Sequence, residues 1–219
     1  MSFGTEKNHR YIPAHEIAAS MSPRRSQSLP FFHAFTGCDT VSGFNLRSKK
    51  SAWDTWKAYD EATSTFLALS KAPTEVSDDD LAVLERFTIL LYDRTSAESD
   101  INKVRQDLFC KKGRQMEALP PTRAALLQHV KRAVYQGGYC WGRMFHTTMN
   151  LPSPADWGWC NPPKWTPFWT TLPEASIASR ELIHCSCKVG CNPRRCSCRK
   201  SGLRCTGLCN PCGGQFFDV

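Results

Sequence analysis

The sequence contains no apolar run near the ~18 residues that a membrane-spanning helix needs, which excludes a helical membrane protein. Its first residues, MSFGTEKNHRY, carry charge but no apolar core, so no secretory leader is expected and the predicted compartment is intracellular and reducing. No HExxH spacing occurs; His15 and Glu16 are adjacent and read as structural. Acids are scarce at the front, where Glu6 and Glu16 alone precede Asp39. The last 35 residues also lack acid, apart from Asp218.

Cysteine is abundant, and unevenly placed. Of twelve cysteines, eight lie at Cys185, Cys187, Cys191, Cys196, Cys198, Cys205, Cys209 and Cys212. Thiols at this density indicate either disulfides or a metal. The Cys-x-Cys pairs 185/187 and 196/198 are poorly placed to cross-link internally but suit thiolates converging on one ion. A segment too short for a core can fold on zinc-binding energy, and a reducing compartment favours that reading. Around the thiols stand six bases, Lys188, Arg194, Arg195, Arg199, Lys200 and Arg204. They suit a phosphate backbone or base edges in a groove, or they offset thiolate charge.

The rest of the chain is close to charge balance, although the whole carries +8. Its pattern predicts a mostly α-helical fold. The apolar start Phe31, Phe32, Ala34, Phe35 predicts a buried helix stopping at Gly37. A basic loop (Arg47, Lys49, Lys50) leads into a helix carrying Trp53 and Trp56, continuous over 52–72 and ended by Pro73. Ser77 is expected to cap SDDDLAVLERFTILLYD, with its acids in the first turn. Ser99 is expected to open a further helix, and Pro120-Pro121 to precede a third that stops at Gly137-Gly138. The stripes Leu81/Leu84/Phe87/Leu91, Ile101/Val104/Leu108 and Leu126/Leu127/Val130/Val134 read as core faces. Cys110 reads as a buried thiol and His129 as a surface or interface side chain. Residues 139–183, rich in proline and tryptophan, read as an extended strap anchored by tryptophans. Exposed tryptophans there could instead stack on bases. A short helix, PEASIASREL, leads to the thiols. Cys140, His146 and Cys160 match no zinc spacing.

The order C-x-C, then C-x4-C-x-C-x6-C-x3-C, over roughly residues 183–213 resembles the tesmin-type CXC domain, a zinc-cluster DNA-binding unit of chromatin proteins. The resemblance implies zinc, DNA and a nuclear location. In that family nine cysteines hold three zinc ions, some thiolates bridging two metals. Here the family's last cysteine positions hold Pro211 and Gly214, and one thiol, Cys212, is displaced between them. Eight thiolates close two tetrahedral sites, or three bridged ones if His184 or Asp218 supplies a ninth ligand. Arg195 stands where the family often has a groove-inserting tyrosine.

Residues 28–59 resemble the helix–two-turn–helix of flap-endonuclease-like, PIN-like nucleases. Gly37-Cys38-Asp39 fits G-x-D, and Lys50 and Ala52 fall at the family's lysine and alanine, while Leu46-Arg47-Ser48 replaces its Gly-Ile-Gly hairpin. The resemblance implies that Asp39 is a magnesium ligand; from the residues alone, one carboxylate cannot build that site and Asp39 reads as a turn or capping residue. The whole order of segments resembles a group of animal proteins that look derived from mobile elements, which implies no particular activity.

The organisation expected is therefore an N-terminal extension (1–27), a helical domain resembling the C-terminal part of a PIN-like protein (28–138), a Pro/Trp-rich strap (139–183) and a small irregular zinc-cluster domain (184–214). The expected function is zinc-dependent DNA binding. The bases Lys188, Arg194, Arg195, Arg199, Lys200 and Arg204 would contact DNA, with Arg47, Lys49 and Lys50 as a second, weaker phosphate site. The alternatives are a fragment of a magnesium-dependent nuclease, and a protein-interaction module with a structural zinc cluster whose strap docks a protein partner.

Overall fold

The computed structural model describes residues 2–3, 10–110, 113–142 and 151–170, and in the tail 184–185, 187, 191, 195–200, 202, 204–205 and 209. The chain divides into two compact units, Met1–Thr170 and Thr171–Val219. The fold is mostly helical, with a small irregular cysteine-rich region at the C-terminus.

Two short strands, β1 (Ser2–Phe3) and β2 (Arg10–Tyr11), pair antiparallel ahead of α1 (Ala14–Ser20). The helix α2 (Pro23–Phe35) then organises the first unit. It starts earlier than Phe31. Ser22 takes an extended backbone, its hydroxyl accepts from the Arg25 N–H at 3.3 Å, and Pro23 sits at the first helical position, where a missing N–H costs nothing. Phe31, Ala34 and Phe35 are wholly buried. Phe31 stacks on Phe35 at 5.6 Å, and Phe32 stacks on Trp56 at 4.7 Å. The helix stops before Gly37, whose φ of 105° suits glycine and whose Cβ would lie 2.7 Å from the Gly43 Cα.

The helix expected over 52–72 is two helices, α3 (Lys49–Ala58) and α4 (Ala62–Ser70). Asp60 makes the corner. Its carboxylate accepts from the Thr63 hydroxyl at 3.0 Å and from Arg25 at 2.8 Å, while Thr63 in turn accepts from Trp56 Nε1 at 2.9 Å. These local bonds outcompete helix continuation. α5 (Asp78–Tyr92) is capped by Ser77 as the sequence predicts, and it buries Leu81, Leu84, Phe87 and Leu91. α6 (Ile101–Cys110) is opened by Asp100 rather than Ser99, since the Asp100 carboxylate accepts from the N–H groups of Asn102 and Lys103. Its inner face is Ile101, Val104 and Leu108. Cys110 lies off that face and is exposed, not buried.

A buried carboxylate ties these helices together. Glu85 is 5% exposed, accepts from the Ile101 N–H at 2.8 Å and from Arg123 Nε at 3.1 Å. It sits one residue beyond the Leu81/Leu84 stripe, where its sequence position gave no sign of burial.

α7 (Arg123–Val134), capped by Thr122, does not stop at Gly137-Gly138. It runs on into a π-helix, Tyr135–Trp141. The glycines are there for close approach. A Cβ on Gly137 would stand 2.9 Å from the Phe31 Cα, and one on Gly138 would stand 2.8 Å from the Leu69 carbonyl oxygen. His129 also departs from expectation. It follows Leu126 by three residues on the same face, so it is buried, with ring contacts to Phe35 and Phe44. Its Nε2 donates to the Phe35 carbonyl at 2.7 Å, which satisfies a carbonyl at the end of α2.

Burial lowers the His129 pKa to about 4. The unfolded chain binds this proton near pH 6.5 and the folded chain near 4, so the neutral ring's contribution is complete above about 6.5. It is lost as pH falls from 6.5 towards 4, by about 3 kcal/mol in total. Urea unfolding across that window should show the loss, and His129→Leu should flatten it while lowering stability at neutral pH.

The expected strap is in part structured. A short 3-10 helix (Pro154–Trp157) buries Trp157 against Tyr139 at 5.1 Å. Arg132 donates to the Gly158 carbonyl at 3.2 Å. A hairpin follows, β3 (Trp159–Cys160) with β4 (Thr166–Pro167). Trp157 is thus buried as an anchor and Trp141 packs in part on the same core, whereas Trp169 is 78% exposed. His146 and the PEASIASREL helix lie outside the described residues.

Candidate metal centre and its basic surround

In the second unit, the described thiols converge. Cys185, Cys191, Cys196, Cys198 and Cys209 are buried and form one cluster with Cys187 and Cys205. Two sets of four have sulfur atoms all within 4.8 Å of one another: Cys185, Cys198, Cys205 and Cys209, and Cys185, Cys191, Cys196 and Cys205. The sets share Cys185 and Cys205. The pair Cys196/Cys198 is split between them, so one Cys-x-Cys step serves both.

The separations distinguish the two readings of the thiols. Cys185 to Cys191 is 3.6 Å, Cys185 to Cys205 3.9 Å, Cys196 to Cys205 3.7 Å, Cys191 to Cys205 3.6 Å and Cys198 to Cys209 3.6 Å. Four sulfurs at 2.3 Å from a zinc ion lie about 3.8 Å apart on a tetrahedron's edges. A disulfide needs about 2.05 Å. None of the described cysteines is in a disulfide. Each set therefore suits a four-coordinate ion such as zinc.

The backbone assists. A helical turn, α8 (Ser197–Lys200), starts immediately after Cys196. N–H donation, first from Arg199, holds the Cys196 thiol down to about 6, in the thiolate form a metal takes. The Cys185 N–H donates to the Cys209 sulfur at 3.4 Å. Cys187 belongs to neither set but lies beside Cys185 and Cys196, which share in raising its pKa after burial. His184 also belongs to neither set; it is exposed, and its carbonyl accepts from the Ser197 hydroxyl at 3.2 Å. Cys212 and Asp218 lie outside the described residues.

The bases surround this buried sulfur. Arg195, Lys200 and Arg204 are exposed and Arg199 is half-buried. Lys188 and Arg194 lie outside the described residues. The second basic group, in the first unit, is engaged within the fold. The Arg47 guanidinium lies over the Tyr92 ring at 4.6 Å. Lys49 donates to the His33 carbonyl and the Thr36 hydroxyl, both at 2.9 Å, and burial lowers its pKa. Lys50 pairs with Asp54 at 2.9 Å.

Asp39 is exposed in the bend after Gly37. Among the described residues, groups of three or more metal-ligating side chains occur only in the thiol sets, and neither Asp39, Cys140 nor Cys160 joins one. Cys160 is instead held by Thr166, 3.5 Å from its hydroxyl. No helix of the described residues is long and apolar enough to cross a membrane. No protein-family model, curated protein or solved structure matches the chain.

Proposed function

We propose that the second unit is a zinc cluster of the CXC kind that binds DNA through the bases it displays. The overlap of the two thiol sets is the observation that carries this reading. Zinc bound there would supply folding free energy and a rigid frame, as in other small metal-bound modules. Cys185 and Cys205 would serve both ions, with Cys191 and Cys196 completing one sphere and Cys198 and Cys209 the other. Once the chain is tied at these points, Arg195, Lys200 and Arg204 stand outward on a scaffold with almost no opposing acid. Phosphates are the natural partner for such a surface, and the net charge of +8 favours encounter with them. The thiol-rich, metal-binding tail is in keeping with a reducing compartment, and DNA as partner places the protein in the nucleus.

Removing a base that neutralises one phosphate should lower the slope of log affinity against log salt by about 0.9. Replacing Arg195, Lys200 and Arg204 together by alanine should therefore reduce that slope by between about two and three, and weaken duplex binding at moderate salt. An unchanged slope would mean that these bases only balance thiolate charge. The exposed Phe168 and Trp169 support a second reading, a docking surface for a protein partner. Partner capture insensitive to metal chelation, by a chain with no affinity for duplex, would favour it.

A further inference from the structure

Three serine or threonine residues precede a proline: Ser22, Ser153 and Thr166. Ser22 alone has a base at the third position after it, in Ser22-Pro23-Arg24-Arg25. Ser153 has Asp156 at that position, and Thr166 has Trp169. We propose that Ser22 is a phosphorylation site, recognised by a proline-directed protein kinase that also reads a basic side chain three residues on.

The fold makes this serine available. Its side chain lies at the surface, and its backbone (φ −62°, ψ 148°) already has the extended form that a kinase cleft takes. Upstream, α1 has no buried residue, and none of residues 11–22 is buried. Downstream, Pro23 and Arg24 are exposed, and the first buried side chain is that of Ser28. A stretch of chain around Ser22 can therefore unwind into a kinase without opening the aromatic core, which begins at Phe31. Pro23 has no N–H to lose, so unwinding the chain here gives up the Ser26 N–H bond to the Ser22 carbonyl (2.9 Å) and the Arg25 N–H bond to the Ser22 hydroxyl (3.3 Å). Arg25 must release the largely exposed Asp60 carboxylate, the Trp56 carbonyl and the ring faces of Trp53 and Trp56, contacts at the rim of the core and not within it. Ser153 lacks these features. Its segment is pinned four residues on by the buried Trp157, and its third neighbour is an acid that opposes a kinase selecting for base.

The step is ordinary phosphoryl transfer. The Ser22 Oγ bonds to the γ-phosphorus of a nucleoside triphosphate while the bond from that phosphorus to the bridging oxygen breaks. The hydroxyl proton passes to the kinase's base, and the nucleoside diphosphate leaves. The product places a charge of about −1.5 to −2 at the first turn of α2, beside its open N–H groups and the exposed Arg24. The modification thus reinforces the start of the helix on which the first unit is built.

The full chain, incubated with a cyclin-dependent kinase and ATP and then mapped by mass spectrometry, tests this. The expected product carries phosphate on Ser22 and none on Ser153 or Thr166. Pro23→Ala should abolish the modification while leaving the serine cap and the far-ultraviolet circular dichroism intact. Ser22→Asn, which keeps a good cap, should also abolish it. Phosphate placed on Ser153 or Thr166 instead of Ser22, no phosphate at all, or equal modification of Pro23→Ala would overturn the assignment.

Discussion

Replacing Cys185 by serine should strip the second unit of metal far more completely than replacing Cys191. Cys185 belongs to both four-thiol sets, whereas Cys191 belongs to one. If each set holds a zinc ion, Cys191→Ser leaves the Cys185, Cys198, Cys205, Cys209 sphere whole. Cys185→Ser leaves both spheres one thiolate short, and Cys205→Ser should behave the same way. Structural zinc sites bind with about 10–16 kcal/mol at neutral pH, which in a segment this small is also its folding free energy. Loss of the shared ligand should thus unfold the unit as well as empty it. Native mass spectrometry gives the readout. Wild type should carry at least two zinc ions, Cys191→Ser one fewer, and the shared-thiol variants should show the deepest loss. Equal metal content in Cys191→Ser and Cys185→Ser would contradict the sharing.

The second large effect lies in the first unit, where Gly138→Ala should cost about 3 kcal/mol. The added methyl would stand 2.8 Å from the Leu69 carbonyl oxygen and 3.0 Å from the Cα and N of Ala72. All three atoms are backbone at the end of α4, so no side-chain rotation relieves the clash, and the π-helix must lift from its neighbour. Gly113→Ala provides the contrast. There φ is 58° and nothing lies within 4 Å, so only the left-handed backbone opposes the substitution, at about 1 kcal/mol. Urea midpoints of the two variants should differ in that order. A Gly138→Ala protein as stable as Gly113→Ala would mean that α4 and the π-helix do not approach so closely.

The same glycine marks a boundary of what the sequence discloses. Gly137-Gly138 reads as a helix stop because glycine weakens helices, but its missing side chain here admits the backbone of α2 and α4 instead. That choice rests on residues about seventy and a hundred positions away, beyond the reach of any local pattern. His129 is similar. Its helical register beside Leu126 was legible, but the Phe35 carbonyl that makes its burial tolerable was not. Several features that depend on neighbours in sequence were legible, though the Asp60 corner and the Asp100 cap were not. Ser77 caps α5, Gly37 ends the turn after α2, and the three apolar stripes face the core. In the tail, composition and spacing were enough to indicate converging thiols. They could not show that Cys185 and Cys205, twenty residues apart, stand together in both sets, or that Cys196 and Cys198 divide between them. That arrangement comes from the path of the chain, which spacing alone does not fix.

The most direct test of the zinc-dependent DNA-binding account is a gel shift of labelled duplex by the purified chain, with and without a zinc-selective chelator and with zinc restored afterwards. The account predicts a shift that disappears on chelation and returns with zinc, because the bases act only while the thiols hold the frame. A shift of equal strength in metal-free protein would contradict it, since the bases would then bind without the cluster.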